Sequence, residues 1–369
     1  MSVDGFSYLR REYRNCMEKF SSADKLYMRR CLQLARNGNG STSPNPMVGA
    51  VIVCDGRIIG EGYHIRAGEP HAEVNAVRSV AEADRPLLQR STIYVSLEPC
   101  SHYGKTPPCC DLIISVGIPR VVIATTDFNS LVNGGGIERM RAAGIEVIVG
   151  LFAEEARLLN KKFFTFHKCN RPYIILKWAH TADGFIDAKR SSGKALSIST
   201  EGSFVAMHKL RSECDAILVG TNTAQLDNPS LTLREWCGRQ PLRLVIDRES
   251  RLSPSLNLFD GTYPTIVYTN NPVPGKYGKN VEQIKLDFSK DILPAMLTHL
   301  ASIKVDSLLV EGGAALLQSF IDADLWDEAR VECNSQLFIG EGVPAPQLKG
   351  WSHCEESLCF GNKISLFVR

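Results

Sequence analysis

Apolar residues along this chain alternate between helical spacing and short continuous runs. In residues 23–36 apolar side chains return every three or four positions before a polar glycine-rich stretch, which predicts a helix. The apolar run at 48–53 predicts a strand, and the Asp55-Gly56 pair after it predicts a hairpin turn into a second strand at 57–63. Further strands are predicted at residues 92–97, 121–125 and 145–149. Strands separated by helical segments predict a three-layer α/β domain.

The same alternation resumes in the second half of the chain. Residues 151–168 predict a connecting helix, which Arg171 and Pro172 end. Apolar runs interleaved with helical segments then predict a second α/β domain, with strands at residues 173–177, 216–219, 242–246, 265–268 and 307–310. These boundaries predict an N-terminal extension at 1–22, a first domain at 23–150, a connecting segment at 151–171 and a second domain at 172–369.

Composition narrows the classes of protein that this sequence can represent. The 369 residues carry a net charge of +2, which gives no electrostatic reason to expect a nucleic-acid partner or a membrane surface. The twelve cysteines are scattered, without the density of a disulfide-rich secreted domain, and this usage indicates a reducing compartment. No apolar run reaches the length of a membrane span. We therefore expect a cytoplasmic protein.

One imidazole and two thiols are spaced as ligands of a metal ion. Glu73 follows His71 by two residues, and Cys100 and Cys109 come after the strand predicted at 92–97. A catalytic zinc ion takes three protein ligands and keeps a fourth position for water, and a nearby glutamate can move the protons of that water. Helices are predicted to begin near His71 and Cys109, and their N-termini would favour a thiolate. The order H-x-E followed by P-C is the signature of the zinc-dependent nucleobase deaminases.

Other interpretations of these residues stay open from the residues alone. Eight residues separate the two cysteines, whereas the common deaminase form has two, so the longer loop could contact substrate. A structural zinc module with a ligand-binding domain would need a fourth protein ligand, which Cys110 or His102 could supply. A deaminase of nucleic-acid bases would use the same residues but needs a basic surface that follows the strand. Asn45, between two prolines, could present its amide to a polar ring or serve as a turn residue.

A glycine pair in the second domain is a candidate phosphate site. Glu311-Gly312-Gly313 follows the strand predicted at 307–310 and precedes a helix predicted at 314–321. Exposed amides at the start of a helix bind anions such as a pyrophosphate. The longer G-x-G-x-x-G fingerprint is missing, and a plain tight turn explains the glycines equally well.

Longer motifs resemble both halves of the bifunctional riboflavin-biosynthesis deaminase/reductase family. The deaminase-like motifs are PNPxVGA from Pro44, HAE from His71 and EPCSHxGKTPPC from Glu98. The reductase-like motifs are RPYIxLK from Arg171, DAILVG from Asp215, DxPxLTxR from Asp227 and EGG from Glu311. The resemblance implies a cytidine-deaminase-like three-layer α/β/α domain followed by a dihydrofolate-reductase-like α/β domain.

The resemblance also implies two reactions on phosphorylated pyrimidines. The first is a zinc-dependent hydrolytic deamination of 2,5-diamino-6-(5-phosphoribosylamino)pyrimidin-4-one. The second is an NADPH-dependent reduction of the ribosyl side chain of 5-amino-6-(5-phosphoribosylamino)uracil to ribityl. In the deaminase, His71, Cys100 and Cys109 would hold one zinc ion per chain, Glu73 would carry the protons, and Asn45 would bind substrate. We expect a homo-oligomeric enzyme without a nucleic-acid or membrane partner.

In the reductase domain the family comparison supplies most of the candidate residues. We expect substrate contacts from Lys177, Ala195, Arg211, Leu231, Arg234 and Glu311. We expect cofactor contacts from Ala179, Ser197, Thr223, Asp227, Arg248 and Gly313. The two arginines Arg211 and Arg234 suit the substrate phosphate, and Arg248 is a candidate for the 2′-phosphate of NADPH. Lys177, Asp227 and Glu311 are candidate proton donors.

The reductase motifs depart from the family pattern at two places. Where many members carry Ser-x-Trp-Ile-Thr, this chain has Ala-Leu-Ser-Ile-Ser from Ala195, so Ala195 and Ser197 would contribute less or differently. Asn228 also replaces the second aspartate of a common Asp-Asp-Pro. The expected zinc site therefore follows the family more closely than the expected reductase site does.

Overall fold

The computed structural model describes residues 20–103, 107–127, 134–191 and 193–369. The chain divides into two compact units, Met1–Lys168 and Cys169–Arg369. Most of the predicted N-terminal extension lies outside the described residues. Its last residues belong to the first unit, because Phe20 is buried and the Ser21 hydroxyl accepts from the Asp24 amide to cap the first helix.

The first unit is built on one five-stranded sheet. Its elements are α1 (Ser22–Arg36), β1 (Gly49–Cys54), β2 (Arg57–Tyr63), α2 (Ala72–Ser79), β3 (Thr92–Val95), α3 (Cys109–Ser115), β4 (Arg120–Ile123), α4 (Gly135–Ala142), β5 (Glu146–Val149), α5 (Ala153–Leu159) and α6 (Lys161–Cys169). The strand order is β2-β1-β3-β4-β5, with β1 antiparallel to both neighbours and β3, β4 and β5 parallel. The predicted hairpin is therefore the edge of this sheet.

Apolar side chains alternate across the two faces of this sheet. One apolar cluster joins the sheet to α2, α3 and α4, and the other joins it to α1 and α5. In β1, for example, Ala50 and Ile52 belong to the first cluster, whereas Val51 and Val53 belong to the second. Both faces are covered, which confirms the predicted α/β/α arrangement.

The predicted connecting helix is two helices, α5 and α6, with Asn160 between them. The buried Asn160 carboxamide accepts from the Met47 amide at 2.7 Å and donates to the Met47 carbonyl at 2.9 Å. The two backbone groups of Met47 therefore fix the Asn160 side chain at the junction of the two helices. These contacts attach residues 151–160 to the loop that leads into β1.

Fragments of the chain test this attachment. We expect a fragment of residues 1–168 to fold and bind zinc. A fragment of residues 1–150 should be less stable by about 1–3 kcal/mol, because the partly buried amide and carbonyl of Met47 lose their partner. Urea unfolding with zinc analysis measures both fragments, and Asn160→Ala in the longer fragment is the matched control. Equal stability of the two fragments would contradict this role of Asn160.

The second unit is built on a nine-stranded sheet. Its elements are β6 (Tyr173–Thr181), β7 (Phe185–Asp187), α7 (Glu201–Ser212), β8 (Ala216–Gly220), α8 (Thr221–Asp227), β9 (Leu242–Ile246), β10 (Thr265–Thr269), β11 (Val281–Lys285), α9 (Leu293–Ser302), β12 (Ser307–Gly312), α10 (Ala314–Asp322), β13 (Glu328–Asn334), β14 (Val343–Pro344), β15 (His353–Cys359) and β16 (Asn362–Val368). The strand order is β11-β10-β9-β8-β12-β6-β13-β16-β15.

The first seven strands in that order are parallel, and β16 and β15 complete the sheet as an antiparallel hairpin. The carboxyl ends of β6, β8, β9 and β12 therefore meet at one edge, where open α/β sheets bind ligands. The terminal hairpin is missing from the sequence prediction because β15 is almost entirely exposed and carries no apolar alternation. In the part of the chain that the structure describes, no helix has the length and apolar character needed to span a membrane.

Candidate metal centre and cofactor cleft

Three separate elements bring the predicted metal ligands together. His71 is the N-cap of α2, Cys109 is the first residue of α3, and Cys100 lies on the loop after β3. The His71 Nδ1 atom lies 3.6 Å from the Cys100 sulfur and 3.4 Å from the Cys109 sulfur. The three donor atoms all lie within 4.8 Å of one another.

The donor set and its distances fit a tetrahedral zinc ion. Zinc bonds of about 2.3 Å to sulfur and about 2.0 Å to nitrogen place tetrahedral nitrogen and sulfur ligands about 3.5 Å apart. The described residues place neither Cys110 nor His102 in this cluster. Cys110 is instead buried in the apolar core, with its sulfur 3.7 Å from an Asp111 carboxylate oxygen, and His102 is exposed. The described chain thus supplies three ligands, as a catalytic site does.

The hydrogen bonds within this cluster change the pKa values of its three side chains. A hydrogen bond from the Cys109 thiol lowers the pKa of Cys100 against the opposing effect of burial, and the same bond raises the pKa of Cys109. The hydrogen bond to Cys100 raises the pKa of His71. In the metal-free centre these opposite pKa changes favour the thiolate on Cys100, and a bound cation would hold both sulfurs as thiolates.

Glu73 lies beside the ligands without belonging to their cluster. It sits in the first turn of α2 and is only 3% exposed. Burial raises the pKa of Glu73 to about 7, and the Cys100 charge adds to this rise. A carboxyl group whose pKa lies near the working pH can both accept and return a proton.

His64 completes this site, and the sequence prediction missed it. Its Nε2 lies 3.2 Å from the Asn45 amide nitrogen, and its Nδ1 lies 3.2 Å from the Pro70 carbonyl oxygen. Since Nδ1 must donate to the carbonyl, Nε2 accepts from Asn45. The Asn45 amide is thereby oriented beside the metal centre, with the His64 ring 5.4 Å from the His71 ring. No sequence motif marks His64, since its role depends on the β2 end meeting the loop before α2.

The Glu98 carboxylate organises the loop on the other side of Cys100. It accepts from four backbone amides, at 3.1–3.4 Å, those of Asp127, Gly134, Gly136 and Ile137. A side chain at Gly136 would lie 2.2 Å from the Pro99 carbonyl oxygen, so this position requires glycine. Residues 104–106 of the same motif lie outside the described residues.

The second unit has a cleft of about 740 Å³ at the carboxyl edge of its parallel strands. A volume of this size suits a cofactor or a drug-sized ligand. Eight predicted reductase residues line the cleft: Lys177, Ala179, Ala195, Ser197, Thr223, Asp227, Glu311 and Gly313. Arg211, Leu231, Arg234 and Arg248 are not among the lining residues. The assigned roles of all twelve stay predictions.

The glycine pair at the end of β12 fits a pyrophosphate. Gly313 has a φ of +72°, and no side chain caps the start of α10. A side chain added at Gly313 would lie 3.3 Å from the Thr223 hydroxyl, so the backbone stays open to the cleft only with glycine there. The free amides of the first turn are then open to an anion in the cleft.

Arg211 and Glu311 form a buried bidentate ion pair. The guanidinium donates to the two carboxylate oxygens at 2.9 and 2.6 Å, and to the Thr232 carbonyl at 3.2 Å. Burial alone would raise the pKa of Glu311, but Arg211 lowers it below the ordinary value. Arg211 therefore positions Glu311 at the cleft, a role that the sequence does not reveal.

Replacing Arg211 tests its assignment to the substrate. Arg211→Ala should raise the KM for the phosphorylated substrate about ten- to hundredfold and hardly change NADPH affinity. It should also lower the free energy of unfolding by about 3–5 kcal/mol, because Glu311 is left buried without its partner. Arg211→Met combined with Glu311→Gln should recover part of that stability. Weaker NADPH binding with an unchanged substrate KM would contradict the assignment.

Comparison with known protein families gives one match for each unit. Residues 21–125 match the cytidine and deoxycytidylate deaminase zinc-binding region, and residues 172–365 match the RibD C-terminal domain. Fold and site together define a protein that joins a zinc-binding deaminase domain to a reductase domain.

Relatives over most of the chain narrow this class to one family. Riboflavin biosynthesis protein RibD of Aquifex aeolicus is 43% identical over 343 residues, which is 91% of this chain and 93% of the relative. RibD of Escherichia coli is 38% identical and covers 83% of this chain and 86% of its own. The chain belongs to the RibD family of riboflavin biosynthesis proteins.

Solved structures agree over nearly the whole length. A diaminohydroxyphosphoribosylaminopyrimidine deaminase/5-amino-6-(5-phosphoribosylamino)uracil reductase from Thermotoga maritima has a TM-score of 0.84 and 36% identity, covering 94% of this chain and 98% of that one. Acinetobacter baumannii RibD has a TM-score of 0.83 at 30% identity, with the same coverage. The predicted family and fold class are thereby confirmed.

Proposed function

We propose that this chain catalyses two consecutive reactions of riboflavin biosynthesis. The first is the hydrolytic deamination of 2,5-diamino-6-(5-phosphoribosylamino)pyrimidin-4-one. The second is the reduction, with NADPH, of the ribosyl side chain of 5-amino-6-(5-phosphoribosylamino)uracil to ribityl. The observation that carries the proposal is the three-ligand cluster with buried Glu73 beside it, in a chain whose second unit has a cleft of cofactor size.

Each residue of the metal centre has its own role in the proposed deamination. His71, Cys100 and Cys109 would hold a zinc ion, which would supply Lewis-acid activation of a water molecule. Glu73 takes up the proton that this water loses and returns it to the departing amine, which its position and raised pKa permit. Asn45, oriented by its hydrogen bond to His64, presents its carbonyl oxygen to a donor group of the pyrimidine.

The residues of the cleft position the second reaction. The amides at Gly313 would hold the pyrophosphate of NADPH, which would supply the hydride. Of the three candidate proton donors, Asp227 is paired with Arg190 and Glu311 is held ionised by Arg211. Lys177 lines the cleft with its side-chain nitrogen 3.8 Å from the Glu332 carboxylate, and a lysine side chain carries protons that it can donate. We therefore assign the proton to Lys177.

Two further properties belong to this proposal. The small phosphorylated pyrimidine is the expected partner, and the enzyme is a homo-oligomer located in the cytoplasm. The scattered cysteines and the near-neutral charge support this location. Light scattering of the purified protein measures the oligomeric state, and cell fractionation measures the location.

Parallel assays separate this proposal from the alternatives. The zinc-loaded protein is incubated with the diaminopyrimidine phosphate or with single-stranded nucleic acid, and ammonia release is measured. NADPH oxidation is then followed with the deaminated product. Ammonia from the pyrimidine alone, followed by NADPH oxidation, supports both steps. Ammonia from nucleic acid favours a base deaminase, and no reaction with bound zinc favours a structural site.

A further inference from the structure

The cleft of the second unit contains three cationic side chains among its lining residues, Lys177, Arg190 and Arg251. Lys177 faces Glu332, and Arg190 pairs with both Asp187 and Asp227. Arg251 differs, because its guanidinium donates to a neutral group, the Asn222 amide oxygen, at 2.9 Å. Of the three cations among the described lining residues, Arg251 is thus the one that has no carboxylate within ion-pair distance.

The order of the strands locates Arg251 relative to the cofactor. In the sheet, β9, β8, β12 and β6 lie side by side in that order. Along the carboxyl edge, the loop after β9 is therefore followed by the start of α8 after β8, the Gly313 turn after β12, and Lys177 on β6. With the reacting ring near Lys177 and the pyrophosphate at Gly313, the adenosine end of a dinucleotide extends across β8 toward β9. Two strand spacings of about 4.8 Å separate β12 from β9, so this end reaches the loop that carries Arg251.

The loop after β9 holds Arg251 and Arg248 differently. The buried Asp247 carboxylate accepts from the amides of Arg251 at 3.1 Å and Leu252 at 2.9 Å. This fixes the backbone from which the Arg251 side chain reaches the cleft. Arg248 pairs instead with its neighbour Glu249 at 3.0 Å, and both side chains are exposed. Neither residue lines the cleft.

We propose that Arg251, together with Asn222, binds the 2′-phosphate of NADPH and so selects this cofactor over NADH. This assignment rests on the proposed reductase function and replaces Arg248 in that role. A guanidinium binds a phosphate through paired, charge-assisted hydrogen bonds. NADH carries a hydroxyl at that position, so its affinity gains nothing from the charge.

Binding measurements test the assignment without relying on turnover. Titration calorimetry compares NADPH with NADH, and adenosine 2′,5′-bisphosphate with adenosine 5′-monophosphate, on full-length wild type and Arg251→Ala. Arg251→Ala should weaken the two ligands that carry the 2′-phosphate about ten- to hundredfold, and should leave the other two within about twofold. Arg251 is exposed, so the variant should fold. Lys290→Ala, which removes an exposed charge outside the cleft, should change none of the four affinities.

Each other result overturns the assignment in a distinct way. Equal weakening of NADPH and NADH by Arg251→Ala would make Arg251 a general structural residue. A selective loss of NADPH in Arg248→Ala but not in Arg251→Ala would return the role to Arg248. Wild-type protein that binds both dinucleotides equally contradicts this assignment alone. Wild-type protein that binds neither contradicts the proposed reductase function as well.

Discussion

Glu73→Gln should leave about one zinc ion bound per chain and abolish ammonia release. Glu73 lies outside the cluster formed by His71, Cys100 and Cys109, so the metal keeps its three protein ligands. The amide that replaces the carboxyl group cannot take up a proton, and general acid–base catalysis of this kind contributes about 10²–10⁴-fold. Zinc analysis by mass spectrometry and an ammonia assay measure the two properties separately. Loss of zinc from the variant would make Glu73 a ligand and contradict the mechanism.

Glu73→Gln, which should abolish activity, should also raise the stability of the metal-free protein above neutral pH. In the metal-free protein the raised pKa of Glu73 means that the folded chain binds this proton more tightly than the unfolded chain does. Stability is therefore lost as the pH rises from the ordinary glutamate value of 4.5 through about 7. Glu73→Gln removes this loss, so urea unfolding of metal-free protein at about pH 8 should favour the variant. A variant no more stable than wild type there would contradict the buried state of the carboxylate.

Cys109→Ala should lose zinc and all deaminase activity, whereas Cys110→Ala should keep both. Neighbouring residues on a helix point about 100° apart, and the Cys110 side chain is packed in the apolar core. Removing one of three ligands should weaken zinc binding by more than about a hundredfold, because losing even an indirect partner costs about 10–100-fold. Competition with a chelator measures the affinity. Cys110→Ala is the matched control, since it removes the same atom one residue away.

Cys100→Ala should behave as Cys109→Ala does. Retention of zinc by either variant, or its loss in Cys110→Ala, would reassign the ligand set. NADPH oxidation with the deaminated substrate should continue in all three variants, because the cleft lies in the second unit. A reductase that fails together with zinc binding would show that the two units are not independent.

The metal centre could be predicted because its chemistry is local in sequence. His71 and Glu73 belong to one short motif, Cys100 and Cys109 belong to another, and each motif lies at the end of a predicted element. The five strands of the first sheet and β6, β8, β9, β10 and β12 of the second could be predicted because most of their apolar residues are buried. The prediction missed β11, β15 and β16, which are exposed or only partly buried for most of their length. It also missed β13, which is buried but carries Glu328, Arg330 and Glu332 at alternate positions.

The remaining parts of the sites depend on contacts that periodicity does not encode. Asn160, which lies between α5 and α6, bonds a partner 113 residues away, and Arg211 pairs with Glu311 across 100 residues. Arg248 and Arg251 lie three residues apart in one loop, and only the course of the backbone decides which one lines the cleft. Family resemblance supplies residue types at such positions but not the directions of their side chains.

The four amides on Glu98 have a consequence for engineering this protein. One oxygen of the carboxylate accepts from Asp127 and Gly134, the residues on either side of positions 128–133. The other oxygen accepts from Gly136 and Ile137 in the first turn of α4. One side chain, two residues before a metal ligand, therefore ties the end of the segment after β4 and the start of α4 to the loop that carries Cys100. A redesigned deaminase domain that is meant to keep its zinc should keep Glu98 unchanged, because replacing it would leave four amides without their acceptor.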